Sequence, residues 1–174
     1  MSTGEAPPDP ANLIADGQLH ALDPRTVQAE RVASAVGWSI LLLPALGVSV
    51  GLMVGFTELW WGFAAAFAAL LLLALFLVVA WPRIAYRHRA YRVKRDGIEI
   101  RRGVLWRSET WVPRSRVQHT DVNQGPIERS FGLSHLVIHT AGTQSATVTL
   151  EGLERSVALR IRDHLGVSVG DDAV

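Results

Sequence analysis

The sequence predicts a membrane α-helical hairpin followed by a small α+β soluble domain of antiparallel strands and one C-terminal amphipathic helix. Three observations predict this fold class. Two long stretches carry no charged side chain, the residues after them alternate between apolar and polar, and the last apolar stripe recurs every four residues. The chain has 174 residues, of which 49% are apolar, which suffices for two membrane spans and one small domain.

The two uncharged stretches are residues 32–56 and residues 60–81. A transmembrane helix needs about 20 residues at a rise of about 1.5 Å each, and both stretches reach that length. Neither stretch has the polar stripe expected of a core helix in a soluble protein. Tryptophans bracket the second stretch, as is typical of indole rings at the lipid headgroup level. Because only residues 57–59 separate the stretches, residues 32–81 are predicted to form a tight antiparallel hairpin.

Basic residues flank this hairpin on one side. Arg25 and Arg31 precede the first span, and a basic cluster follows the second span from Arg83 to Arg95. The connecting loop carries Glu58 and no basic residue. The positive-inside rule therefore predicts a multi-pass protein of the cytoplasmic membrane, with both termini in the cytoplasm and Glu58 outside.

Three glycines recur every four residues in the first span, namely Gly47, Gly51 and Gly55. This doubled G-x-x-x-G pattern allows another helix backbone to approach closely, so the three residues are candidates for helix packing. Two interpretations stay open. The stripe packs the hairpin against itself, or it recruits a helix of a partner protein.

The two ends of the chain are expected to contribute little to the fold. Residues 1–31 are rich in Pro, Ala, Asp and Gly, and we expect a mostly disordered cytoplasmic segment because few apolar side chains offset the entropy of ordering. Residues 167–174 are expected to be a short acidic tail.

The remaining residues, 82–166, are predicted to form the soluble domain. Strands are expected near residues 86–95, 98–102, 104–112, 116–123, 133–140 and 144–150, with turns at Asp96-Gly97, Arg102-Gly103 and Gly142-Thr143. Residues 151–165 place an apolar residue every four positions, which predicts an amphipathic helix. A helix that plugs the open end of a curled antiparallel sheet completes its core, and this arrangement is the pleckstrin-homology-like (PH-like) barrel.

The stretch from residue 113 to residue 142 carries a resemblance. Its characteristic positions are Pro113, Arg116, Gln118, Gln124-Gly125-Pro126, Arg129, Gly132 and Thr140-Ala141-Gly142. With two preceding spans and a terminal amphipathic helix, the chain resembles the YdbS-like family of bacterial membrane proteins with a bacterial PH-like domain, over roughly residues 32–166. The resemblance implies a domain on the cytoplasmic face of the inner membrane, no assigned enzymatic activity, and assembly with a larger membrane protein that carries several copies of the domain.

Patterns of enzymatic, metal-binding and nucleic-acid-binding sites are lacking in the sequence. The chain has no Cys, no Gly-x-Ser-x-Gly elbow and no phosphate-binding loop between a strand and a helix. His119, His135 and His139 fall on different predicted strands or on one face of a strand, without the spacing of a metal site. The sequence therefore predicts no catalytic residue, no cofactor and no metal. Nucleic acid is not expected, because anionic lipid already accounts for arginines at a membrane boundary.

Two functions remain as hypotheses. The leading one is a non-enzymatic, membrane-anchored interaction module that belongs to a hetero-oligomeric complex with the larger relative. The alternative is a sensor or handler of anionic lipid headgroups, since the arginine fork can bond two phosphate oxygens. The stretch 122–142 is expected mainly to build the fold, with Arg129 directed outward. The candidate residues for lipid or partner contact are Arg87, Arg89, Arg92, Arg114, Arg116 and Arg129.

Overall fold

The structure is a computed structural model that describes residues 15–55, 58, 60–141 and 147–166. The chain divides into two units. One unit is Val27–Tyr86 and is helical, and the other combines the described residues up to Thr26 with those from Arg87 onward.

Two long helices make up most of the helical unit. Helix α1 is Arg25–Gly55 and helix α2 is Trp60–Val79, followed by the short helix α3, Trp81–Arg87. Both long helices have the length and composition needed to cross a membrane. Their large apolar side chains are mostly exposed, unlike those of a core helix in a soluble protein. The guanidinium of Arg31 donates to the carbonyl of Val79 at 2.9 Å, so the start of α1 lies beside the end of α2 and the two helices run antiparallel.

Helix α1 begins at Arg25, seven residues before the predicted start of the span. The Asp23 carboxylate accepts a hydrogen bond from the Arg25 backbone N–H at 2.8 Å, which satisfies one of the free donors at the helix start. Hydropathy alone did not predict that the helix includes residues 25–31, because several of these residues are charged or polar.

The first sheet of the β-domain has four antiparallel strands. In order they are β1 (His20–Ala21), β2 (Ala90–Lys94), β3 (Gly97–Arg102) and β4 (Ser108–Pro113). Lys94 pairs with Gly97, so the turn consists of Arg95 and Asp96, one residue earlier than predicted. Strand alternation buries the apolar residues Tyr91, Val93, Ile98, Ile100 and Val112.

The second sheet has three antiparallel strands, β5 (Val117–Asn123), β6 (Leu133–Thr140) and β7 (Thr147–Glu154). Leu136 and Ile138 are fully buried, whereas the intervening Val137 is half-buried, as the alternation predicts. The described strands form two antiparallel sheets, which fits a PH-like α+β fold, but no closed barrel is found among them, so closure of the predicted barrel by the C-terminal helix stays a prediction. The predicted Gly142-Thr143 turn lies outside the described residues.

The C-terminal helix α5 is Arg155–Gly166, four residues shorter at its start than predicted. Residues 151–154 instead complete β7, where Gly152 has a φ of 71° and the register with β6 shifts. The helix lies against β5, β6 and β7 and buries Ala158, Ile161 and Leu165. The ring of His164 lies 3.0 Å from the backbone carbonyl of Lys94, which connects α5 to the first sheet.

The N-terminal segment joins the β-domain from residue 15 onward. His20 pairs with Tyr91 on β2, and Leu22 is only 4% exposed. The carbonyl of Gly152 accepts hydrogen bonds from the Asp23 backbone N–H at 2.9 Å and from the Thr26 hydroxyl at 3.2 Å. The expectation of disorder is therefore wrong for residues 15–31, because backbone pairing supplies the order that side-chain hydrophobicity alone did not predict. Residues 1–14 and the predicted tail 167–174 lie outside the described residues.

Candidate functional site

The connection between β3 and β4 is a loop that exposes two large apolar side chains. The sequence predicts a strand from residue 104, but Gly103 takes a φ of 114° and β4 begins only at Ser108. Leu105 is 80% exposed and Trp106 is 88% exposed. Apolar residues continue past Gly103, but the chain leaves the sheet there, so neither side chain is covered by the domain.

A basic cavity of about 410 Å³ lies beside this loop. Its lining includes Ser108 and Glu109 of β4 and, from the preceding segments, the basic residues Arg87, His88, Arg101, Arg102 and Arg107. Positive charge therefore surrounds the base of the apolar loop. We call Leu105, Trp106 and these lining residues the loop–cavity site.

Two carboxylates hold one arginine of the site in place. Arg101 donates from Nε to Glu99 at 2.7 Å and from Nη2 to Glu109 at 2.9 Å. These carboxylates raise the pKa of Arg101, Glu99 contributing most, so Arg101 stays charged. Arg102 and Arg107 are exposed and provide positive charge at the surface.

Glu99 is the buried centre of the charge network on this sheet. Its side chain is 7% exposed and lies 3.4 Å from both Arg92 Nη1 and Lys94 Nζ. Hydrogen bonding to Glu109 and to Arg101, together with the positive charge of Arg101 and Arg92, holds the pKa of Glu99 below its ordinary value of 4.5. Burial acts in the opposite direction but is outweighed. Glu99 thus keeps three cations of the sheet in fixed positions.

The structure distributes the six predicted contact arginines over several surfaces. Arg87 lines the 410 Å³ cavity, and Arg89 lines a smaller neighbouring cavity of about 140 Å³ that also includes Arg101 and Arg102. Arg92 faces Glu99. Their role in lipid or partner contact stays a prediction.

The other three predicted arginines lie outside the lining of both cavities. Arg114 and Arg116 form a short 3-10 helix after β4, Arg114 N–H donating to the Asp96 carbonyl at 2.8 Å. Arg129 is exposed on helix α4, Pro126–Ser130. A contact role for these three also stays a prediction.

Helix α4 and the residues around it have a clear structural role. The Gly125 backbone N–H donates to the Glu128 carboxylate at 2.7 Å, which caps the helix start, and the same carboxylate lies 2.9 Å from His135 Nδ1. Gln124 donates from Nε2 to the Leu133 carbonyl at 2.6 Å. These bonds fix the corner between β5 and β6, as expected for a stretch that builds the fold.

The glycine stripe of α1 is open on the described part of the helical unit. A Cβ atom added at Gly47, Gly51 or Gly55 would meet no described atom within 4 Å beyond the local chain. The stripe therefore does not pack closely against α2 in this structure, and its role in helix packing stays a prediction.

One further cluster was not predicted. His119 and Asp121 of β5 and His139 of β6 bring their side chains together across the strand pair. Sequence spacing did not reveal this cluster because it depends on the cross-strand register. That register could have been derived by aligning the buried Leu136 and Ile138 against β5.

Comparison with known proteins decides the family. A family model described as "Bacterial PH domain" matches residues 32–168. The chain belongs to the bacterial PH domain family. It is also similar to the UPF0699 transmembrane protein YdbS of Bacillus subtilis (strain 168), with 28% identity over 155 residues that cover 88% of this chain and 95% of that protein. No solved structure matches the chain.

The family match confirms the resemblance expected from residues 113–142 and the transmembrane character expected from the two uncharged stretches. This bacterial PH-domain protein is YdbS-like, and its domain is a membrane-associated module.

Proposed function

We propose that this protein is a non-enzymatic PH-like module on the cytoplasmic face of the inner membrane, which docks its soluble domain on anionic lipid through the loop–cavity site. Both termini are cytoplasmic in this proposal, and the two spans provide the anchor. The observation that carries the proposal is the pairing of exposed Leu105 and Trp106 with a basic cavity on one edge of the domain.

The apolar part of the site fits the bilayer interface. An indole ring has an apolar body and one N–H donor, so it is stable at the headgroup level, where one end is wet. Leu105 and Trp106 are adjacent at the tip of a loop, a geometry that lets both enter the interface without disturbing the sheet. Without such a cover, two neighbouring large apolar side chains this exposed would favour aggregation.

The charged part of the site fits anionic phospholipid. Arg102 and Arg107 flank the apolar tip, and a basic residue near an anionic leaflet contributes about 1 kcal/mol of attraction. The two spans already anchor the protein essentially irreversibly. The site would therefore orient the domain on the membrane, and it would not be needed to recruit the protein there.

The experiment uses the full chain in lipid nanodiscs. The chain has no Cys, so Ser108→Cys can be labelled uniquely with an environment-sensitive fluorophore. We expect a blue shift and quenching by headgroup-attached quenchers that are stronger in nanodiscs containing phosphatidylglycerol than in phosphatidylcholine alone. Equal spectra in the two lipids, with no quenching in either, would contradict the proposal.

Headgroup selectivity is a further arm of the same test. If the 410 Å³ cavity recognises one headgroup, then lipids of equal charge give different quenching. If the quenching follows net lipid charge and disappears at high salt, then the site responds only to the charge of the membrane surface. The arginines outside the cavity, Arg114, Arg116 and Arg129, would then have no selective role either.

A second candidate function is assembly with a larger related membrane protein through α1. The open glycine stripe favours it, since close backbone approach is what such a stripe allows. Co-purification from native membranes in mild detergent, with wild type and Gly51→Leu compared, tests this. Loss of the partner in Gly51→Leu would support assembly through the spans. Retention of the complex would place the contact in the soluble domain and contradict the role of the stripe.

A further inference from the structure

The β5–β6 strand pair carries two stacked histidines on its outer face. His119 and His139 are directly opposite in the register, with ring centroids 4.1 Å apart and ring planes 15° apart. Two residues further along β5, Asp121 points to the same face, because alternate residues of a strand share a face. The cluster belongs to neither the loop–cavity site nor the glycine stripe.

Potential ligand atoms of these three residues converge. The Asp121 Oδ2 atom lies 3.6 Å from His119 Nε2 and 3.4 Å from His139 Nε2. Each residue offers a ligand atom within 4.8 Å of the ligand atoms of the other two. Around a tetrahedral Zn²⁺ with bonds of about 2.1 Å, two ligand atoms lie about 3.4 Å apart. The separations of 3.6 Å and 3.4 Å from the carboxylate to the two rings are therefore compatible with a shared metal ion.

The surroundings of His139 favour metal binding by its Nε2 atom. The Thr147 hydroxyl on β7 lies 3.3 Å from His139 Nδ1, within hydrogen-bonding distance. The other ring nitrogen, Nε2, lies on the side of Asp121 and is available to a metal ion. A hydrogen bond on the other ring nitrogen is the usual companion of a metal-binding histidine. His119 and Asp121 are more than half exposed, so a metal ion can reach the cluster from solvent and their side chains can adjust on binding.

We propose that His119, Asp121 and His139 bind one divalent transition-metal ion of the Zn²⁺ class, with water completing the coordination. Imidazole nitrogens and one carboxylate suit Zn²⁺, Ni²⁺ and Cu²⁺, whereas Mg²⁺ and Ca²⁺ prefer sites made only of oxygen atoms. An ion there would link β5 to β6 at the exposed face of the second sheet. This site is independent of the proposed lipid docking.

The test is calorimetric titration of Zn²⁺ into the full-length protein in detergent, purified without a histidine tag and stripped of metal. We expect one site per chain, no response to Mg²⁺ or Ca²⁺, and weaker binding at pH 5.5 than at pH 7.5, because a protonated imidazole cannot bind a metal. His119→Ala and His139→Ala should each weaken binding at least about tenfold, as should Asp121→Asn.

The matched control is His135→Ala. His135 lies on the same strand as His139 and also faces a carboxylate, that of Glu128, but it is outside the cluster. Unchanged Zn²⁺ affinity in His135→Ala, with loss in the cluster variants, supports the site. Equal losses in all the histidine variants, or no saturable Zn²⁺ binding by wild type, would overturn it.

Discussion

Replacing Trp106 by Ser should release the soluble domain from the lipid surface while the protein stays anchored. Trp106 is 88% exposed at the tip of the β3–β4 loop, so almost its whole side chain is available to the bilayer interface. A Trp side chain buries about 200 Å², and the coefficient of about 25 cal/mol per Å² gives about 5 kcal/mol for complete burial. Immersion of half of the ring gives about 2–3 kcal/mol.

A loss of this size changes the ratio of docked to undocked domain roughly 30- to 150-fold, because 1.4 kcal/mol corresponds to about a factor of ten. Docking is an equilibrium within one anchored molecule, so the change appears as a shift in populations. The Ser108→Cys fluorophore in phosphatidylglycerol nanodiscs measures it as loss of the blue shift and of quenching.

Two comparison variants make this result specific. Leu105→Ser should have a smaller effect of the same sign, since its side chain is 80% exposed on the same loop but is smaller. Leu19→Ser removes another exposed leucine, 47% exposed in the N-terminal segment of the same domain, and should leave the fluorescence unchanged. Quenching in Trp106→Ser equal to that of wild type would refute the reasoning.

The remaining predictions concern charge, packing and pH. Arg102→Gln and Arg107→Gln should each weaken docking about fivefold at low salt and less at high salt, in the same fluorescence assay. Ile161→Ala should destabilise the β-domain by about 2–5 kcal/mol if α5 completes its core, measured by chemical unfolding, because Ile161 is fully buried. Gly152→Ala should cost at least about 1–2 kcal/mol in the same experiment, because φ is 71° and Thr26 lies against the position. The lowered folded-state pKa of Glu99 stabilises the domain above pH 4.5 and is lost as pH falls through that lower pKa, so thermal stability should fall more steeply with acidification in wild type than in Glu99→Gln.

Long-range sequence patterns predicted the elements whose apolar residues follow one regular pattern, namely the two spans and strand β6. Residues 32–56 and 60–81 are uncharged over the thickness of a bilayer, and their length and composition suit membrane-spanning helices. Strand β6 was predicted with its boundaries, because Leu136 and Ile138 alternate with less buried residues between two turn signals of the sequence. Periodicity is reliable where one face is buried and the other faces solvent.

The features that depend on backbone pairing or on an exposed loop were not predicted. Strand β1 has only two residues, and its order comes from hydrogen bonds to β2, which hydropathy does not record. The start of α5 was placed four residues early, because Leu153 fits the helical stripe, whereas the structure buries it at the end of β7, directly after Gly152. Leu105 and Trp106 fall within a predicted strand, whereas the structure places both in the loop before β4 and exposes them.

The candidate sites were predicted only in part. Arg87 was chosen as a basic residue after a span and does line the cavity, but Arg101, Arg102 and Arg107 were missed because they lie in predicted strands and turns. The histidine–aspartate cluster required knowledge of which residues of β5 and β6 stand opposite each other. Cross-strand neighbours follow from register, and register is found only when the buried faces of two strands are aligned with each other.

The most direct test of the account is the side of the membrane on which each part of the chain lies. Single cysteines at Glu58, an exposed turn residue, and at Asp163, an exposed residue of α5, can be compared because the natural chain has no Cys. In intact spheroplasts an impermeant maleimide should label Glu58→Cys, whereas Asp163→Cys should react only after the membrane is opened. Labelling of both positions from the same side would contradict the hairpin anchor and the cytoplasmic placement of the domain.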